Sequence, residues 1–159
     1  MSRDRSLVSR SADETQRLGA LLGELLRGGD IVCVSGELGA GKTCLVQGIA
    51  RGLGIDPSVP VTSPTFTLVG EYPGPVALRH ADFYRVESYA RLDDAGFLDL
   101  VDESGVLVVE WPERFPEALP EERLEIAIEL VSESERRIRF GGAGARAGQI
   151  RKELLERWR

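Results

Sequence analysis

The segment Gly36-Glu37-Leu38-Gly39-Ala40-Gly41-Lys42-Thr43 constrains this chain more than any other stretch of its 159 residues. It reads G-x-x-x-x-G-K-T. The apolar run Ile31-Val32-Cys33-Val34-Ser35 precedes it, and a helical pattern from Leu45 to Leu53 follows. Strand, glycine-rich loop and helix, in that order, make a phosphate cradle. The glycines let successive N–H groups converge on an anion, and the helix N-terminus adds partial positive charge. The eight residues of the loop and Cys44 after it are therefore candidate nucleotide contacts. Lys42 is expected to reach the β and γ phosphates from a solvent-facing cradle, and the Thr43 hydroxyl to hold Mg²⁺. The choice of cation is informative. Of 20 basic residues only Lys42 and Lys152 are lysine, so a chain that otherwise uses arginine places a compact ammonium where the loop needs one.

The length suits one domain, spanning residues 1–159, with residues 1–10 as a flexible N-terminus. No apolar run approaches the length of a membrane span, and the polar start Met1-Ser2-Arg3-Asp4 lacks the core of a signal peptide. Two cysteines, Cys33 and Cys44, give neither a disulfide framework nor metal spacing, which points to the cytosol. A net charge of −6 argues against autonomous nucleic-acid binding. The charge is uneven: from Arg136 to Arg159 there are eight basic and two acidic residues, a solvated basic face or a contact surface for an acidic partner.

Ser11-x-x-Glu14 is a capping box that opens a helix with Leu18, Leu21, Leu22, Leu25 and Leu26 inward. Residues 65–72 read as a strand, Pro73-Gly74-Pro75 as a turn, and residues 76–83 as the returning strand. A helical stretch is expected from Ser88 to Leu100, and strands at Val106–Val109, Leu124–Val131 and Arg137–Phe140. Gly141-Gly142-Ala143-Gly144 reads as a flexible connector, and residues 145–159 as a closing helix with Ile150, Leu154, Leu155 and Trp158 inward. The fold class is α/β: a P-loop NTPase-like sheet of central parallel strands with antiparallel edges, and helices on both faces.

Hydrolysis needs more than a cradle. It needs a carboxylate at the metal and a group that orients water. Val106-Leu107-Val108-Val109-Glu110 is an apolar strand running into an acid, the pattern of a Walker B segment. Ligands of such sheets sit at the carboxyl ends of the strands, which would bring Glu110 to the metal near Thr43. Asp82 is a second candidate. Thr62-Ser63-Pro64-Thr65 lies where a loop sensing the γ-phosphate would lie. His80, the only histidine, has no companions of metal-ligand spacing and reads as structural. The chain contains no asparagine, so the Asn-Lys-x-Asp guanine reader is absent and ATP is favoured.

Together these segments resemble one family. The Gly36–Thr43 loop, Leu45–Ala50, Val61-Thr62-Ser63-Pro64-Thr65-Phe66, Glu71-Tyr72, His80-x-Asp82-x-Tyr84-Arg85 and Glu110-Trp111-Pro112-Glu113-Arg114 occur in the order and spacing of TsaE, the YjeE-type ATPases of bacterial tRNA threonylcarbamoyladenosine biosynthesis. The likeness runs from about Ser11 to Ile138. It implies a cytosolic ATPase, weak alone, that works with TsaD and TsaB and meets tRNA only through that complex. It implies that Lys42 and Thr43 bind phosphate and Mg²⁺, that Glu110 helps hold Mg²⁺, and that Asp82 stands behind the metal or orients water. Ser63 and Thr65 would belong to the switch loop, and Trp111 would lie beside the nucleotide. Cys44 departs from the threonine expected there, which leaves its backbone N–H available to phosphate. Two rival readings remain at this point: a small-molecule P-loop kinase, and a non-catalytic switch whose grip on a partner depends on nucleotide.

Overall fold

The computed structural model describes residues 5–64, 68–100 and 102–158. Its framework is a sheet with strand order β1-β7-β6-β2-β5-β4-β3, the strands being β1 (Arg5–Ser9), β2 (Ile31–Gly36), β3 (Val69–Tyr72), β4 (Ala77–Asp82), β5 (Gly105–Glu110), β6 (Arg123–Leu130) and β7 (Arg136–Ala143). β6, β2, β5 and β4 run parallel; β7, β1 and β3 join antiparallel at the two edges. This is the expected fold class. β5 is buried along its whole length, as a continuous apolar run in a parallel sheet demands.

Helices α1 (Ala12–Leu25), α2 (Lys42–Gly52) and α4 (Ala145–Arg157) cover one face of the sheet. The short α3 (Tyr89–Asp94) and three 3₁₀ turns cover a smaller aromatic core on the other, where Phe83 meets Phe97 and Phe115 edge to face. The capping box forms: Ser11 Oγ accepts the Glu14 N–H at 3.0 Å, while Glu14 returns its carboxylate to the N–H of Arg10, one residue ahead of the cap. Ile150 and Leu154 are buried on α4, whereas Leu155 and Trp158 are half-buried.

α1 and α2 pack through glycine. A methyl group on Gly48 would run into the Gln16 carbonyl, one on Gly52 into that of Ala20, and one on Gly19 into that of Leu45. The backbones therefore touch, and α1 fixes the position of the helix that carries the P-loop.

Two segments differ from the sequence reading. Residues 5–9, expected to be flexible, form β1, with Leu7 opposite Ile138 and Ser9 hydrogen-bonded to Thr15. A polar composition does not prevent a strand when an edge offers unpaired backbone groups. Residues 141–143, expected to be a connector, continue β7 opposite Arg123–Glu125. A Cβ at Gly142 would overlap the Arg123 carbonyl, so the glycine there serves close strand contact. The expected strand at residues 65–72 is seen from Val69 onward; residues 65–67 lie outside the described residues.

Candidate functional site

Topology brings the candidate residues together. β5 lies between β2 and β4, with Val34 and Asp82 in register on either side of Glu110. The P-loop leaves β2 just past this point, so all three strand ends open onto one cleft of about 430 Å³. That volume lies within the range of small-ligand sites. Lys42, Thr43, Ser63, Asp82, Glu110 and Trp111 all border it.

The loop has the geometry of a cradle. Gly39 and Gly41 adopt φ of +80° and +104°, left-handed values that a side chain would strain. Gly41 caps α2, so the first N–H groups of that helix face the loop. Glu37 and Leu38 turn their side chains to solvent, and Ala40 packs into the core. Cys44 donates its thiol to the Ala12 carbonyl at 3.3 Å, and burial raises its pKa. Its side chain thus serves the contact between α2 and the start of α1.

Lys42 differs from the solvent-facing group expected. It is only 5% exposed. Its ammonium donates to the carbonyls of Gly36 at 2.5 Å and Glu37 at 2.9 Å and stands 4.3 Å from the Trp111 ring centroid. Burial lowers its pKa, opposed by the charges of Glu110, Glu113 and Asp82. The charges of three carboxylates thus act on this buried cation. Trp111 holds φ +58°, an uncommon conformation for an aromatic residue, and its ring also meets Tyr84 at 4.9 Å. Arg114 donates to the carbonyls of Tyr84 and Val86, fastening the segment after Glu110 to the segment after Asp82.

A hydrogen-bonded chain crosses the floor. Ser63 Oγ donates to Glu110 Oε2 at 3.1 Å, and Thr43 Oγ1 lies 2.9 Å from Ser63 Oγ. Ser63 has one proton to give, so Thr43 is the donor in the second bond. One hydroxyl therefore bridges the two residues expected at the metal. Thr43, Ser63 and Glu110 present hard oxygen atoms, the donor chemistry that suits Mg²⁺. Asp82 is half-buried; burial raises its pKa, the bond from the Tyr84 N–H lowers it, and the Glu110 charge raises it further.

Sequence reasoning missed three contributors. His80, read as structural, places Nε2 at 2.5 Å from Glu110 Oε2. Arg136, from β7, donates to the Ala40 carbonyl at 2.9 Å and steadies the loop from behind. Glu113 acts on Lys42 through its charge. The His-x-Asp spacing before Glu110 was the one available signal for His80; nothing local points to Arg136. Thr65 lies outside the described residues. Among the described residues, no cluster of three histidine, cysteine or carboxylate side chains could hold a metal by itself.

Residues 9–138 match the profile of the family described as threonylcarbamoyl adenosine biosynthesis protein TsaE. The chain is similar to the tRNA threonylcarbamoyladenosine biosynthesis protein TsaE of Treponema pallidum, 44% identical over 82% of this chain and 96% of the relative. It is likewise similar to that of Bacillus subtilis, 39% identical over 89% and 88%. Among solved structures, the crystal structure of Bacillus subtilis YdiB superposes with a TM-score of 0.78 at 33% identity, over 98% of this chain and 97% of that one.

Proposed function

The chain belongs to the TsaE family, and from that premise we propose that it is a weak Mg²⁺-dependent ATPase supporting threonylcarbamoylation of tRNA in the cytosol. TsaD and TsaB are its proposed partners, and tRNA is met only through their complex. The observation that carries this reading is the convergence of Lys42, Thr43, Asp82 and Glu110 on one cleft at the ends of β2, β4 and β5. No helix among the described residues is long and apolar enough to cross a membrane.

The loop N–H groups and the start of α2 bind the phosphates. Lys42 leaves the two loop carbonyls it now caps and turns its charge to the γ-phosphate, where negative charge develops during transfer. Thr43 and Glu110 would hold Mg²⁺, which neutralises phosphate charge when bound. Asp82, whose pKa is raised by burial, orients the attacking water at the rim of the cleft. Trp111 and Tyr84 form an aromatic wall beside Lys42. Arg85 is exposed at the border of the same cleft and is the internal candidate for an activating cation. Without such a cation poised on the phosphates, turnover by a P-loop site is slow, and supplying one raises it by about 10³ or more.

Steady-state phosphate release, measured alone and across a titration of the TsaB–TsaD pair, tests the proposal. Slow hydrolysis that accelerates with the pair is expected, with Arg85→Ala alongside to locate the cation. No hydrolysis at saturating partner defeats the ATPase reading and leaves a nucleotide-dependent switch. Phosphate transfer to an added small-molecule acceptor points instead to a kinase.

A further inference from the structure

His80 has no accessible surface. It sits on β4 in register with Val108 of β5, and Asp82 is in register with Glu110. Its contact with Glu110 is thus the diagonal one between neighbouring strands, within reach of a long side chain. His80 and Glu110 face the same layer as α2, because Leu78, Val106 and Val108 of the same alternation belong to the core beneath that helix.

The two polar groups are nearly sealed from water, Glu110 being 2% exposed. The His80 bond and the Ser63 bond both fall on Oε2 of the carboxylate. A carboxylate oxygen accepts, so the imidazole carries its proton on Nε2. Nδ1 is buried without a partner among the described residues. A bare lone pair is tolerated inside a protein more readily than a bare N–H, so this tautomer is also the one that leaves the less costly group unpaired at Nδ1. The ring has no accessible surface, so it has no solvent-filled space into which to swing. Oε2 is thereby held by a buried ring donor and by a loop hydroxyl.

We propose that His80 is a positioning residue for the metal. It locks the Glu110 carboxylate, whose Oε2 is joined through the Ser63 hydroxyl to that of Thr43, in one orientation at the metal site. This rests on the reading of the cleft as a Mg·nucleotide site. Donors behind a metal-ligating side chain commonly set metal affinity by about 10- to 100-fold. A histidine that only filled the core would have no such effect.

The test compares wild type with His80→Gln, His80→Asn and His80→Leu. Glutamine can place an amide N–H where Nε2 stands; asparagine is too short to reach, and leucine has no donor. ADP affinity is measured by calorimetry in EDTA and across a Mg²⁺ titration, with Mn²⁺ binding by electron paramagnetic resonance as a direct metal readout. The expected result is that Asn and Leu raise the metal concentration needed by about 10- to 100-fold, that Gln stays near wild type, and that ADP affinity in EDTA is the same in all four. Melting in EDTA identifies a variant that does not fold; if Leu fails, Asn decides. Unchanged metal dependence in the folded Asn or Leu variant overturns the proposal. So does an equal loss of ADP affinity in EDTA, which marks a purely structural role, and so does a Gln variant that behaves like Leu. Absence of any Mg²⁺ dependence in the wild type defeats the site reading itself and this role with it, and shows before any variant is made.

Discussion

Gly48→Ala tests whether the contact between α1 and α2 holds the P-loop in place. An added methyl would overlap the Gln16 backbone carbonyl, with Gln16 C and Cα both at 3.0 Å, and none of these atoms lies on a flexible side chain. The helices must separate, at an overpacking cost of about 1–3 kcal/mol. Replacing glycine inside a helix returns about 1 kcal/mol of propensity. The overlap is with rigid backbone, so the cost lies at the upper end of that range and the net loss is about 2 kcal/mol; each kcal/mol moves Tm by roughly 2–4 °C at this chain length. A drop of about 4–8 °C is therefore expected in a thermal melt. Gly148→Ala on α4 is the control, because its new methyl would meet only the end of the Arg151 side chain at 3.7 Å. Propensity alone then operates, and Tm should rise. Because α2 begins at the loop, Gly48→Ala should also weaken nucleotide binding, and Gly148→Ala should not. A Gly48→Ala protein that melts at or above wild type would refute the backbone-contact argument.

Lys42→Ala should lower ATP hydrolysis by about 10²–10³, the usual loss for one electrostatic donor. Its melting temperature should stay near wild type, because two carbonyls lose a donor while a desolvated ammonium is removed; a wild-type rate in the folded variant sinks the P-loop assignment. Thr43→Ala and Glu110→Ala should each weaken Mg·ATP binding, and a double-mutant cycle should show losses that do not add, since both groups serve one metal and already share Ser63. Simple additivity would break that link. Asp82→Ala should reduce kcat far more than ATP affinity, as a water-orienting carboxylate acts in the transition state; a collapse of affinity would make it a metal ligand. Because burial holds the Asp82 pKa above its unfolded value, ionisation destabilises the fold. Asp82→Asn should therefore raise Tm at neutral pH, and the gain should fade as pH falls through the carboxylate range; a gain that persists in acid contradicts the burial argument.

Local chemistry made much of this protein legible from its residues. The G-x-x-x-x-G-K-T loop, the apolar run into Glu110, the Ser11 cap and the helix-period leucines each report on a few neighbouring residues, and each appears where the pattern places it. The parallel centre and antiparallel edges follow from the same patterns. The tertiary structure alone decided the rest. His80 meets Glu110 across 30 residues, Ser63 meets Thr43 across 20, and Arg136 reaches the loop across 96. Arg146 clamps Asp30 across 116 residues with paired hydrogen bonds at 2.9 and 3.0 Å, anchoring α4 to the turn ahead of β2. Such pairs leave no periodicity, because polar partners are chosen by which strands become neighbours and not by spacing along the chain. The same reason made residues 5–9 and 141–143 look like a loose end and a linker. Their composition says little about pairing, and only the adjacent edge of the sheet turns them into strands.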